Sequence, residues 1–344
     1  MSTNRKILAD FGLNQLEKIT LKSTEITVEV LNLGAAIYSV KARDSEGKLD
    51  DLVLAYPEWL DYISNKDYFG CVAGRYANRI AGASFTLNGS SFTLSANEGE
   101  NCLHGGFEGL HKRFYEVSAL TDSSLSLSCL SQDGEDGFPG NLQVEISYTV
   151  RGDTLEIKYK VESDKDTIVN LTNHSYFNLA GHGNGSILDH EIQIFSDKYL
   201  PVDKNLIPMD IEPVTNSPVD FKVKTEMAYA LRAPHEQITR CGGVDHNFIL
   251  SEPGLEHCAA KVTHMYSGRT LEVFTTEPGL QFYTANHIDD MNGKDGAYYG
   301  KYPAFCLETQ KFPNSPNRPD FPSCILRAGD VYSSQTNYKF GIEK

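Results

Sequence analysis

Residues 142–161 read LQVEISYTVRGDTLEIKYKV, and this stretch decides the fold class. Leu142, Val144, Ile146, Tyr148 and Val150 alternate with polar neighbours, Arg151-Gly152-Asp153 interrupts, and Leu155, Ile157, Tyr159 and Val161 resume the alternation. A period of two puts every second side chain on one face, so each half is a strand with one buried side. A short glycine-bearing break between two such runs makes an antiparallel hairpin. Working outward, the pattern recurs. Ile26, Val28 and Val30 alternate, as do Leu125, Leu127 and Cys129. Phe85 and Leu87 lead into Asn88-Gly89, with Phe92 and Leu94 after it. Asn-Gly supplies the positive φ angles that a tight hairpin demands. Ser267-Gly268 separates two further runs, 262–266 and 271–274. Helical periodicity is scarce; residues 224–232, with Met227, Ala228 and Leu231 on one face, are the best short candidate.

Strand and turn signals run from residue 25 to the C-terminus without a composition break or a linker. The expectation is all-β: one domain over residues 1–344, a large antiparallel β-sandwich with few short helices. Long stretches with few strand signals, 95–113, 197–220, 286–303 and 311–323, are the expected binding loops.

Composition narrows the function. The chain has 344 residues, 40% of them hydrophobic and 22% charged, ordinary for a globular protein. Acidic residues outnumber basic ones by 15, which disfavours nucleic acid and anionic membranes as partners. A neutral small molecule stays compatible. The N-terminus carries no apolar run of signal length, and no window reaches spanning length. Seven cysteines at long spacings, with no CxxC, suggest free thiols and a cytoplasmic setting. HExxH, the phosphate loop and the nucleophile elbow are all absent, and no closed ligand set appears, so no metal is expected.

Three polar clusters stand out. Asn101-Cys102-Leu103-His104-Gly105-Gly106 places a histidine before two glycines, which lets another backbone or a ligand come close. In residues 170–178, His174, Thr172, Tyr176 and Asn178 would share one face if the segment is a strand. In Phe305-Cys306-Leu307-Glu308-Thr309-Gln310 one carboxylate interrupts an apolar strand, and burial would raise its pKa toward that of a useful base. Taken singly, each has a structural alternative. His104 and His174 could be hydrogen-bonded core residues, Asn78-Arg79 a strand end with a salt bridge, Asp245 a turn acid and Gln281 a solvated strand residue.

Six segments in order nevertheless resemble the aldose 1-epimerases, the galactose mutarotase family. They are Asn78-Arg79-Ile80-Ala81-Gly82, Leu103-His104-Gly105-Gly106, Asn173-His174-Ser175-Tyr176-Phe177-Asn178-Leu179, Val244-Asp245-His246-Asn247-Phe248, Glu277-Pro278-Gly279-Leu280-Gln281-Phe282-Tyr283 and Leu307-Glu308-Thr309-Gln310. Residues 313–322 resemble that family too, so the likeness covers essentially the whole chain. It implies a β-sandwich with an open sugar cleft, no cofactor and no metal. It implies His174 as general acid, Glu308 as general base, and His104 as a second catalytic histidine that holds or polarises the sugar. It implies sugar contacts from Asn78, Arg79, His104, Tyr176, Asp245 and Gln281. The implied partner is a free aldohexose, galactose or glucose, turned over by a monomer or weak homodimer. A hexose-6-phosphate epimerase, a non-catalytic sugar-binding module and a glycosidase using Asp245 with Glu308 are the competing readings.

Overall fold

The hairpin forms where the alternation places it. In the computed structural model, which describes residues 4–343, Leu142–Arg151 pairs antiparallel with Thr154–Ser163, and Arg151 faces Thr154 across Gly152-Asp153. Gly152 takes φ 56°, the left-handed region where a side chain would be strained. The Asn88-Gly89 turn closes Ser84–Leu87 onto Ser90–Thr93 in the same way, with both residues at positive φ.

That hairpin is the heart of a nine-stranded sheet. Its order is Glu116–Leu120, Ser124–Ser131, Leu142–Arg151, Thr154–Ser163, Val331–Ile342, Arg269–Thr275, Gly254–His264, His190–Ile194 and Thr225–Glu226. A five-stranded meander, Arg5–Asp10 to Leu49–Asp51, includes two strands ahead of residue 25, where the sequence signals began. A second five-stranded sheet runs Glu212–Pro213, Lys198–Leu200, Asp245–Ile249, Gly279–Tyr283 and Cys306–Gln310. All three sheets feed one hydrophobic cluster, with Val28 and Val30 from the first meander, Val144 and Ile146 from the large sheet, and Leu280, Phe282 and Leu307 from the second. The Tyr338 hydroxyl donates to the Leu307 carbonyl at 2.8 Å, tying the large sheet to the sheet that carries the cleft. The architecture is the expected antiparallel β-sandwich.

Three short α-helices occur among the described residues: Asp61–Ser64, Met227–Leu231 and Glu236–Cys241. The middle one answers the 224–232 reading. Residues 170–178 depart from expectation. Only Thr172–Asn173 is strand, paired with Val72–Ala73, and the chain then leaves the sheet. The buried Asn173 amide accounts for the break. Its Nδ2 donates to the Gly70 carbonyl, and its Oδ1 accepts from the Ser175 backbone and hydroxyl. Asn178 is likewise structural, donating to the carbonyls of Gly185 and Pro303.

Candidate functional site

Glu308 lies on Cys306–Gln310, a strand buried from end to end. Alternation sends Leu307 into the sandwich core and turns Cys306 and Glu308 to the opposite face. Register with the neighbouring strands completes that face. Glu308 sits opposite Gln281, which sits opposite Asn247; two residues along, Cys306 sits opposite Tyr283, which sits opposite Asp245.

His174 reaches this face from the broken segment 172–176. Its backbone is pinned: its N–H donates to the Cys71 carbonyl at 2.8 Å, and its own carbonyl accepts from Gly70 at 3.0 Å. Its Nε2 lies 3.6 Å from Glu308 Oε1, and both side chains are almost fully buried. Its ring stacks on Tyr176 with centroids 4.9 Å apart. The Tyr176 hydroxyl donates to the Asp67 carbonyl at 2.9 Å, which fixes that ring as a platform.

His104 comes from the loop read as a binding element. His104 N–H donates to the Asn78 carbonyl at 3.1 Å, and Asn78 N–H donates back to His104 Nδ1 at 3.2 Å. The following glycines are there for close approach. A Cβ on Gly105 would stand 2.0 Å from the Gly74 carbonyl oxygen. Arg79 grips Glu98 through Nε and NH2, both at 2.7 Å, and turns NH1 toward Asp245 at 3.7 Å. The strand-end salt bridge weighed for Arg79 thus exists, and it aims the guanidinium into the cleft. Gln281 Nε2 donates to Asp245 Oδ1 at 2.6 Å.

These groups line a cleft with about 680 Å³ of open space. Asn78, Arg79, His104, His174, Tyr176, Asp245 and Glu308 all border it. Gln281 does not. It borders a smaller adjoining pocket and stands behind Asp245, because its cross-strand position points its amide at that carboxylate. Lys66, Asp67, Tyr68, Glu98, Tyr283 and His287, with the apolar Leu103 and Ile288, complete the lining; none was assigned a role from the sequence.

Burial dominates the electrostatics. It drives Glu308 well above the usual carboxylate range, with the Asp245 charge adding to this and Arg79 opposing it. It drives His174 down to about 4. His104 is pushed well below the ordinary imidazole value by burial and by the charges of His174, Arg79 and His111. The donated Asn78 N–H therefore meets a neutral ring, whose proton must sit on Nε2. His104, His174 and Glu308 offer ligand atoms within 4.8 Å of one another. A cation fits this set poorly, since the only lone pair of His104 is already taken at Nδ1. The same tautomer makes His104 a hydrogen-bond donor at Nε2.

The aldose 1-epimerase sequence profile matches residues 17–339. The chain is 42% identical to mouse galactose mutarotase, with 99% of each chain covered. It is 41% identical to human galactose mutarotase with 96% of each covered, and 35% identical to aldose 1-epimerase of Escherichia coli with 94% and 95% covered. The chain belongs to the aldose 1-epimerase family. Its fold matches that of solved relatives. An aldose epimerase homologue from C. elegans superposes with a TM-score of 0.89 at 27% identity, covering 96% of this chain and 100% of that one. Galactose 1-epimerase from Lactobacillus acidophilus gives 0.87 at 26%, covering 99% of each.

As an aldose 1-epimerase the protein is an isomerase acting on a sugar. The cleft gathers a buried carboxyl, two imidazoles and the hydrogen-bonding groups of Asn78, Arg79 and Asp245 around one small space. The residues missed in the sequence carry no pattern of their own. Tyr68 packs against His104, His111 and His174, with ring centroids 4.5, 4.7 and 5.9 Å away, and takes φ 59°. A tyrosine beside Phe69-Gly70 reads simply as core. Lys66 sits exposed at the rim.

Proposed function

We propose that this aldose 1-epimerase interconverts the α and β anomers of a free aldohexose, galactose and also glucose, with Glu308 and His174 as the proton-transferring pair. The carrying observation is the buried Glu308 Oε1–His174 Nε2 approach of 3.6 Å at the base of an open cleft. Mutarotation opens the hemiacetal, turns the aldehyde about C1–C2 and closes it on the other face. Opening takes a proton from the C1 hydroxyl and gives one to the ring oxygen. The carboxylate does the first and the imidazolium the second, and the two exchange roles on closure.

We take the resting proton to sit on the Glu308 carboxyl with His174 neutral, a reading supported by the raised pKa of the one and the lowered pKa of the other. The charge-separated arrangement that starts catalysis holds the same number of protons, so it is reached by an internal shift without exchange with solvent. Arg79 favours it by lowering the Glu308 pKa. Such a pair titrates as a unit, so the rate should be flat over a broad range and fall only when the pair gains or loses a proton.

In this reading His104 is the second catalytic histidine, donating from Nε2 to a sugar oxygen. Asn78, Arg79 and Asp245 hold hydroxyls, Tyr176 backs the His174 ring, and Gln281 serves the sugar through Asp245. No cofactor or metal takes part. The seven free thiols support a reducing, cytoplasmic setting, and we take the chain to act as one domain, a monomer or weak homodimer. No helix among the described residues is long and apolar enough to cross a membrane.

The test is the optical rotation of fresh α-galactose, α-glucose and galactose 6-phosphate, with and without protein. Accelerated relaxation of the free sugars supports the proposal. Acceleration confined to the phosphate would overturn the substrate assignment and point to Lys66 at the rim.

A further inference from the structure

The acid–base pair leaves one neighbour unused. Cys306 Sγ lies 3.6 Å from His174 Nδ1, with both side chains buried. Glu308, two residues on along the same face of the same strand, lies 3.6 Å from the other ring nitrogen. One strand therefore grips the imidazole at both ends. We propose that Cys306 is a positioning residue whose sulfur accepts the Nδ1–H of His174, so that proton exchange is confined to Nε2.

The chemistry follows from counting protons. An imidazolium that gives up its Nε2 proton keeps the one on Nδ1, and that N–H, on the buried side of the ring, needs an acceptor. The acceptor decides how basic the ring is. A carboxylate there would add a charge and hold the imidazolium protonated. A thiol is a weak acceptor, and burial keeps this one uncharged, its pKa driven well above the ordinary value. It fixes the ring's orientation and tautomer without strengthening its hold on the Nε2 proton. No reaction at sulfur is invoked. The other groups facing the ring are Glu308, His104, Tyr68, Tyr176 and Tyr283; of these, Glu308 meets a ring nitrogen as an ion-pair partner and the others face it with their rings.

The inference rests on His174 as the acid, and its test separates the two. Long-range proton–nitrogen NMR of the ligand-free wild-type protein at neutral pH should show His174 with Nδ1 protonated and Nε2 bare, the signal being assigned by its loss in His174→Asn. Cys306→Ala should give mixed tautomers. It should lower kcat about three- to ten-fold, with KM nearly unchanged and the acidic limb of the pH profile moved. Cys306→Ser keeps an acceptor and should restore both the tautomer and kcat. A predominant Nε2–H tautomer in the wild type overturns the proposal whether or not Cys306→Ala folds, and so does a folded Cys306→Ala with unchanged kcat and tautomer. Unchanged kcat in His174→Asn would sink the acid assignment and leave the tautomer result standing.

Discussion

Among the described residues, two places bring two histidines and a carboxylate together within 4.8 Å: His104, His174 and Glu308 in the cleft, and Asp189, His190 and His264 at the edge of the large sheet. In the second, every ring nitrogen is engaged. His190 accepts from the Leu179 N–H at Nε2 and meets Asp189 at Nδ1, 3.0 Å away. His264 meets Ser267 Oγ at 2.8 Å and Asp189 at 3.4 Å. Asp189 is partly open to solvent and lies below the ordinary carboxylate value, chiefly because His190 bonds to it. In the cleft, Glu308 Oε2 has no protein partner, and the pKa moves the other way because burial is not compensated. Two imidazoles and a carboxylate thus make a clasp where their hydrogen bonds are filled and the proposed reactive site where they are not.

The comparison breaks first at the carboxylates. Glu308→Gln keeps the shape but cannot take a proton, and should lower kcat by about 10²–10⁴ in the polarimetric assay. His174→Asn should do the same, and the double variant should be little worse than either single one. Asp189→Asn should leave kcat within about two-fold and lower unfolding free energy by about 1 kcal/mol, its partial exposure letting water replace the lost partner. Equal activity losses in Asp189→Asn and Glu308→Gln would erase the distinction.

His104→Ala should weaken kcat/KM by the value of one hydrogen bond, about 1–3 kcal/mol, and leave measurable turnover. An unchanged enzyme would return His104 to a purely structural role.

The buried imidazoles should also be visible in stability. His174 is held at about 4, and His111 and His246 at about 3, all by burial. Between those values and about 6.5 the unfolded chain binds protons that the native protein does not, so stability should fall as pH drops through that window. Glu308 has the opposite sign. Its raised pKa favours the native state at low pH, and this is lost as pH rises through the folded value. Glu308→Gln should therefore be at least as stable as wild type at neutral pH, inactive or not. Denaturant midpoints at pH 7, 5.5 and 4.5 check both; a flat profile would contradict the neutral histidines.

The smallest expected effect is that of a chelator. Prolonged treatment should leave turnover intact, and activity lost to a chelator and restored by zinc would overturn the metal-free reading of the cleft.

The alternation of residues 142–161 and the Asn88-Gly89 turn are properties of adjacent residues, so the sequence by itself determined the strands, their hairpins and the all-β class. The ordered segments around Asn78, His104, His174, Asp245, Gln281 and Glu308 likewise made the family legible, since each keeps its residue types in one short run. The tertiary structure decided what each of them touches. Gln281 stands behind Asp245, and residues 174–176 leave the strand that alternation alone would continue, because the Asn173 side chain takes over the local backbone bonds. Lys66, Tyr68 and Glu98 gave no signal, and Cys306 stood beside Glu308 without a role of its own, because what matters in each is its neighbour and not its type. Cys306 lies 132 positions from His174 in the chain. Only closure of the sandwich, driven by apolar burial on the other face of the strand, brings sulfur and imidazole into contact.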